Sequence, residues 1–336
     1  MKAYEVDKGG NSLDGLRQVE RADPTPGPHE VLIRVRATSI NYRDYMVVQG
    51  RYFTPVTRPT IPLSDGAGEV IAIGAGVTKF REGDRVAGTF FQVWRDGPPA
   101  FRAPALGVPA DGTLAEYMAL HEDGVVAIPQ HISFEQAATL PCAGVTAWNA
   151  LMYSGTPIKP GDTVLCLGTG GVSMLAMQIA KASGARTIVT SSSDEKLKRA
   201  LALGASDGIN YKTHPEWDKE VQRITHGRGV NAVIEIGGAG TLARSYQCVG
   251  FGGKIGLIGF LGGPTGDTNP FPLMMKGGSL WGIGVGSTNM FEDLNRCIEV
   301  NGIHPIVDKV FPFDKARQAF ETFAANDFVG KVVITV

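Results

Sequence analysis

The chain has 336 residues, 43% of them hydrophobic, which suits two domains with sizeable cores. A formal net charge of -1 leaves no electrostatic footprint for nucleic acid or an acidic membrane surface. The four cysteines (Cys142, Cys166, Cys248 and Cys297) are far apart, which excludes a disulfide framework and fits reduced thiols in the cytoplasm. The start, "MKAYEVDKGG", shows no apolar signal region, and no apolar run is long enough to span a bilayer, so neither secretion nor membrane insertion is expected.

Residues 1–127 read as β-rich. "EVLIRVRATSI", "GAGEVIAIGAGV" and "GDRVAGTF" are short apolar runs separated by glycine and charge. The stretch from Trp94 to Thr113 is crowded with Pro and Gly and reads as a long surface loop. After Ile128 the texture changes. "SFEQAATLPCAGVTAWNAL" has a Ser133 cap and helix formers, with Pro141 breaking or kinking the helix. Strands are then expected at Thr163–Leu167, Thr187–Thr190, Gly208–Asn210, Ala232–Ile236, Lys254–Ile258 and Leu280–Ile283. Helices are expected at Val172–Ser183, Asp194–Leu203, Pro215–Thr225 and Leu242–Val249. Such alternation, with apolar β-branched strands, implies an α/β domain with a six-stranded parallel sheet, doubly wound by helices. The tail from Thr288 carries two helical stretches and the strand-like runs "DKVFPF" and "GKVVITV".

The most informative segment is Gly168-Thr169-Gly170-Gly171-Val172-Ser173, between an apolar strand and an amphipathic helix. Its first glycine allows a tight turn. Gly170 or Gly171 lets backbone amides approach a pyrophosphate, and the helix N-terminus adds free N–H groups and partial positive charge. Ser173 replaces the third glycine of the dinucleotide fingerprint and is small enough for close packing. No Gly-Lys-Ser/Thr follows, so this is not a P-loop.

The second strand of this unit ends in Ser191-Ser192-Ser193, with Lys196 close behind. NAD sites usually place a carboxylate there, for the ribose 2′-OH. Hydroxyls and an ammonium accept a 2′-phosphate that a carboxylate would repel, so the expected cofactor is NADPH. The serines could equally cap the next helix, and the two roles are compatible.

With these motifs the chain resembles the zinc-independent branch of the medium-chain dehydrogenase/reductase superfamily, the quinone-oxidoreductase-like and alcohol dehydrogenase-like proteins. The resemblance runs through "SINYRDYMVVQGRY", "IPLSDGAGEVIAIGAGV", "GDRV", "LPCAGVTAWNAL", the glycine loop, "LGASDGINY" and "GKVVITV". It implies a GroES-like β-rich substrate domain from both chain ends (1–127 and 288–336) and a Rossmann domain over 128–287. It also implies a cofactor cleft at their junction, a small-molecule substrate and a homodimer paired near Ser279–Val285. Further cofactor contacts implied by the resemblance are Thr146, Tyr211, Gly237, Gly259, Phe260, Leu261, Val285, Gly286 and Ser287. Close relatives often carry an Arg where this chain has Thr288. Lys331 is either another cofactor-side residue or, as the stronger reading, an ordinary surface lysine.

In zinc-dependent relatives a Cys and a His stand where this chain has Asn41 and Ser64, and only Cys142 matches the third ligand. A catalytic zinc needs three protein ligands, so no zinc is expected. The four-cysteine structural lobe is absent too, since Phe90–Ala115 contains no Cys. Cys142 reads as a packing residue. His121 and His131 stand isolated and take no catalytic role.

Without a metal, a hydrogen-bond donor must stabilise charge on the acceptor's oxygen. Asn41 and Tyr42 are the catalytic candidates, although an ordinary phenol, with a pKa of about 10, is a poor acid near neutrality. Either residue could instead serve packing or a turn. Asp44 is expected to fix Arg43 or its loop. Tyr45, Phe53, Phe90, Phe91 and Trp94 could form an aromatic substrate wall. The expected function is metal-free, NADPH-dependent hydride transfer to a quinone or an α,β-unsaturated carbonyl. The alternatives are NADP-dependent carbonyl–alcohol interconversion and non-catalytic NADPH binding.

Overall fold

The computed structural model describes residues 1–98, 103–263, 265–266 and 268–336. Part of the expected surface loop from Trp94 to Thr113 therefore lies outside the described residues. The chain divides into two compact units, Met1–Val145 with Gly286–Val336, and Thr146–Val285.

The first unit is built on the long strand Glu30–Ser39. Val31, Ile33, Val35 and Ala37 alternate along it and are buried, which is what a period of two puts on one face. It pairs antiparallel with Asp65–Ile73 and with Tyr117–His121. The last strand, Lys331–Thr335, also pairs antiparallel with it, setting Val333 opposite Ser39 and Thr335 opposite Ala37. That pairing brings the chain's end into the unit formed by its beginning. Ile40, Leu63, Phe320 and Ile334 share one buried cluster there. Each such side chain contributes about 1.5–3 kcal/mol when taken out of water.

Residues 128–145 and 286–287 were expected with the nucleotide-binding domain, but they pack in the first unit. Polar contacts explain this. Ser39 Oγ donates to Ala138 O at 2.8 Å, and the Cys142 N–H donates to Asp65 Oδ2 at 3.2 Å. The helical stretch in this segment starts at Ser133, whose hydroxyl accepts from Gln136 N. It gives way to a π-helical turn over Leu140–Gly144. Pro141 has no N–H for the regular ladder, so the chain widens there rather than ending.

The second unit is a six-stranded sheet of Thr163–Cys166 (β1), Arg186–Ser191 (β2), Asp207–Asn210 (β3), Val230–Glu235 (β4), Val249–Leu257 (β5) and Ser279–Gly282 (β6). The spatial order is β3-β2-β1-β4-β5-β6, and every neighbouring pair is parallel. This is a full doubly wound dinucleotide-binding topology. Val164, Leu165, Ile188, Val189, Val233 and Ile234 are fully or almost fully buried, as parallel strands covered on both faces require. Helices Gly171–Ala182, Asp194–Ala202, Trp217–Ile224 and Ala239–Cys248 connect the strands, close to the bounds read from sequence. A further short helix, Phe271–Met275, was not anticipated: three of its five residues are exposed apolar ones, so it has no amphipathic signature. Among the described residues no helix is long and apolar enough to cross a membrane.

One carboxylate pins a loop of the first unit. Glu122 is buried and accepts from Thr78 N, Lys79 N and His29 Nδ1 at 2.8, 2.9 and 3.2 Å. The backbone donors hold its pKa down at about 2. A depressed carboxylate stabilises the fold above its unfolded pKa, and that contribution is lost as pH falls through the folded value. Glu122→Gln should therefore lower stability at pH 7, and the gap to the native chain should close between about pH 4.5 and pH 2. Denaturant unfolding across that range checks this.

Candidate functional site

The glycine loop leaves the end of β1 and turns into the helix Gly171–Ala182. Gly168 has φ +75°, a conformation only glycine adopts without strain, and its N–H donates to Thr190 Oγ1 at the end of β2. Thr169 is buried. Gly170 is the helix N-cap, with Gly171 and Val172 beginning the first turn. A Cβ at Gly170 would meet nothing within 4 Å, so the space beside its backbone is open. Ser173 is fully buried and donates to Leu167 O at 2.6 Å, which ties the helix to its strand. The loop thus sets a helix N-terminus, whose first N–H groups have no intrahelical partner, next to the open space at Gly170, which fits a pyrophosphate.

At the end of β2 the three serines divide the work. Ser193 caps the helix Asp194–Ala202 by accepting from Lys196 N at 3.3 Å. Ser191 is buried, and its hydroxyl accepts from Ser193 N. Ser192 is half-buried and takes no part in the cap. Tyr211 is exposed, with its N–H on Ser191 O at 3.0 Å. No carboxylate stands among residues 191–193.

The ends of β4 and β5 border a cavity of about 510 Å³ lined by Gly238, Leu242, Leu257, Gly259 and Phe260 among others. Phe260 and Leu261 are exposed. A second cavity, about 270 Å³, lies at the opposite ends of the strands, beside Asp162, Arg186 and Arg228. Ligands of such folds sit at the carboxyl ends of the strands, so the first cavity belongs to the site.

Sequence reasoning passed over Glu235, the last residue of β4. It is fully buried and accepts from Gly237 N at 2.7 Å, Gly238 N at 3.1 Å, Thr241 Oγ1 at 2.5 Å and the Ser245 hydroxyl. Burial pushes its carboxyl up, and these four donors oppose that. They fix the Gly237–Gly238 turn beside the cavity. The available signal was one acid in the apolar run "AVIEIGG".

The stretch Val285-Gly286-Ser287 does not act as one piece. Val285 closes the second unit with φ +63°, a strained conformation for a β-branched residue, and its carbonyl accepts from Asn149 Nδ2 at 2.8 Å. Gly286 belongs to the first unit, where a Cβ would fall 2.6 Å from Val145 Cγ1. Ser287 is buried, with its hydroxyl occupied in capping the helix Thr288–Asn301. Thr288 donates through N and Oγ1 to Trp94 O. Thr146 is buried in the second unit.

In the first unit, Asn41 and Tyr42 open the helix Tyr42–Val48. Tyr42 is exposed. Asp44 accepts from Asn41 N at 2.9 Å and pairs with Arg43 at 3.0 Å, so it fixes both the arginine and the loop. Asn41 is almost buried, and its carboxamide lies in a polar cluster. Nδ2 donates to Ser64 Oγ at 3.4 Å, and Ser64 Oγ donates to Asp65 Oδ1 at 2.8 Å. Oδ1 accepts from Lys331 Nζ at 2.5 Å. Lys331 is not a surface lysine: it is 3% exposed, donates also to Ile40 O at 2.8 Å, and stands 3.9 Å from Asp65. The strand register explains the error, because continuing it from Val333 opposite Ser39 sets Lys331 beside Asn41. Burial pushes Lys331 down and Asp65 up, and each charge opposes the shift of the other.

This donor set does not fit a zinc ion. The lysine ammonium already engages the oxygen of Asn41, and Ser64 gives its hydrogen to Asp65. Burial pushes the Cys142 thiol up, away from the thiolate a metal needs. Among the described residues no three His, Cys, Asp or Glu side chains gather as a metal-holding group. His121 and His131 are not isolated, since their rings lie 5.9 Å from His29 and 5.2 Å from His304.

The aromatic residues form two groups rather than one wall. Phe90, Phe91 and Trp94 pack in sequence at 4.7 and 5.9 Å and are buried. Arg43 joins them to Tyr52, lying 4.7 Å from that ring and 5.1 Å from Phe90. Phe53 packs against Tyr52 with its ring tilted and is 79% exposed, so it is the member that faces solvent. Tyr45 packs elsewhere, beside Phe323.

Known proteins match both units. Residues 27–130 match the alcohol dehydrogenase GroES-like domain, and residues 171–299 match the zinc-binding dehydrogenase family. A zinc-type alcohol dehydrogenase-like protein of Schizosaccharomyces pombe is 43% identical, over 99% of both chains. The chain belongs to the medium-chain dehydrogenase/reductase superfamily. Within it, the quinone oxidoreductase of Sus scrofa is 30% identical over 99% of this chain and 97% of its own. A crystal structure of an NAD-dependent alcohol dehydrogenase superposes with a TM-score of 0.91 at 33% identity, covering both chains fully. The protein is an oxidoreductase of this superfamily.

The open space beside Gly170 separates binding from folding. Gly170→Ala should leave stability within about 0.5 kcal/mol while weakening dinucleotide binding at least about tenfold. Gly168→Ala should cost about 1–2 kcal/mol of stability, because of its positive φ. Thermal unfolding and cofactor titration of the two variants check both statements.

Proposed function

We propose that the protein is an NADPH-dependent, zinc-independent oxidoreductase that reduces the C=C bond of an α,β-unsaturated carbonyl or a quinone. Bound nicotinamide supplies the hydride. The second unit would hold the dinucleotide through the Gly168–Val172 loop, with Gly237, Gly259, Phe260 and Leu261 along its strand ends. Ser191, Ser192 and Lys196 would receive the 2′-phosphate, and Tyr211 the adenosine side. The first unit would present Asn41. Hydride addition at the β-carbon moves negative charge onto the carbonyl oxygen, where an N–H of Asn41 donates a hydrogen bond. The α-carbon then takes a proton from the Tyr42 hydroxyl or from water. Phe53 and the Phe91–Trp94 group favour an apolar acceptor.

The observation that carries the reading is the Asn41 carboxamide. It is buried, bonded to an ammonium through Oδ1, and its donor nitrogen lies 3.4 Å from Ser64 Oγ on the side where Asp65 also accepts from it. The alcohol dehydrogenase names among the relatives favour a second reading, carbonyl–alcohol interconversion at the same amide. The protein would work in the cytoplasm on a small molecule. As a homodimer it would pair along β6, the sheet edge where Leu280 and Trp281 are exposed.

Replacing Asn41 with Ala and Tyr42 with Phe together should cut turnover at least about a hundredfold, with NADPH affinity within about twofold of native. Native turnover in that variant contradicts the assignment. Lys196→Glu should weaken NADPH at least about tenfold more than NADH. Equal weakening of the two contradicts the 2′-phosphate site.

A further inference from the structure

Lys331 is a buried cation that the hydride chemistry above does not use. Its nitrogen donates to Ile40 O at 2.8 Å and to Asn41 Oδ1 at 2.5 Å, and the Asp65 carboxylate stands 3.9 Å away as its counter-charge. Two hydrogen bonds and a carboxylate beside them favour the ammonium form. A neutral amine that kept both bonds would turn its lone pair toward the carboxylate.

The consequence falls on Asn41. Its carboxamide has an acceptor end and a donor end, which differ only by a flip about the last side-chain bond. With the ammonium fixed on one side, the flipped amide would set an NH2 group against an NH3⁺ group, donor against donor. Oδ1 must therefore face Lys331 and Nδ2 must face away. An amide nitrogen carries two hydrogens. The Ser64–Asp65 edge takes one, since Ser64 Oγ accepts at 3.4 Å. A positive charge on the amide oxygen also polarises the group and strengthens its N–H as a donor.

We propose that Lys331 is the positioning residue of the reductase site: its ammonium locks the Asn41 carboxamide with Nδ2 as the donor to the acceptor's oxygen. The cation held in this pocket is then an ammonium bonded to an amide rather than a metal. Asp65 balances the charge. Its carboxylate is held in turn by Ser64 Oγ, Ser39 Oγ and Cys142 N. The lock rests on the catalytic reading of Asn41 and adds a residue 290 positions away in sequence.

The test compares Lys331→Met, Asn41→Ala and the double variant in the full chain, with an enone as acceptor. Each single variant should lower kcat at least about tenfold while KM and NADPH affinity move less than about threefold. The double variant should be no slower than the slower single one. A double variant showing the product of the two losses, about a hundredfold or more, means Lys331 acts independently of Asn41 and overturns the proposal. So does native kcat in Lys331→Met. Native kcat in Asn41→Ala sinks the catalytic reading of Asn41 instead, so the two failures are distinguishable. Lys331→Met leaves Asp65 buried without its partner. If that variant does not fold, Lys331→Met with Asp65→Asn removes both charges and carries the same comparison.

A second readout needs no turnover. The side-chain amide resonances of Asn41, assigned by their loss in Asn41→Ala, should shift and broaden in unliganded Lys331→Met. In Lys331→Arg they should stay closer to native. Resonances unmoved by Lys331→Met overturn the lock.

Discussion

The first unit depends on one buried contact, the Lys331 ammonium against Asn41, Ile40 and Asp65. It joins three segments that are remote in sequence: the end of the strand Glu30–Ser39, the start of Asp65–Ile73 and the start of Lys331–Thr335. An isolated ammonium in such a place would be costly, so the cluster holds only because each member has partners. Ser64 and Ser39 supply hydroxyls to Asp65, and Cys142 supplies its backbone N–H. Removing any one member leaves a buried polar group short of a bond, which is why the cluster constrains the whole end of the sheet.

The second unit works by backbone rather than by charge. Gly168 turns the chain, Ser173 draws the helix onto β1, and the helix Gly171–Ala182 starts beside the open space at Gly170. The Glu235 carboxylate performs the same service one crossover away, collecting two backbone amides and two hydroxyls so that Gly237 and Gly238 keep their turn. Val285 ends the unit in a strained conformation held by Asn149. The geometry prepared for a ligand is thus mostly main chain, and side chains outside the ligand's reach hold it in place.

Much of this was legible in the sequence because it is local. Six apolar β-branched runs alternate with helix formers, and the glycine cluster sits between one pair of them. What stayed hidden depends on pairing across the chain. Lys331 looks like any lysine after a glycine until its strand is placed beside Ser39. Nothing in the sequence shows the positive φ of Val285. Residues 128–145 share composition with the helices that follow, yet hydrogen bonds to Ser39 and Asp65 place them in the first unit. The aromatic residues looked like one wall, but Tyr45 faces Phe323 while Arg43 gathers Tyr52 and Phe90. Glu235 was the one missed residue with a visible signal.

The most direct measurement of the central claim is NADPH consumption with an α,β-unsaturated aldehyde, with the product identified. The account predicts a saturated aldehyde, with hydride delivered to the β-carbon and charge caught on the carbonyl oxygen by Asn41. An allylic alcohol would contradict C=C reduction and give the site to carbonyl chemistry.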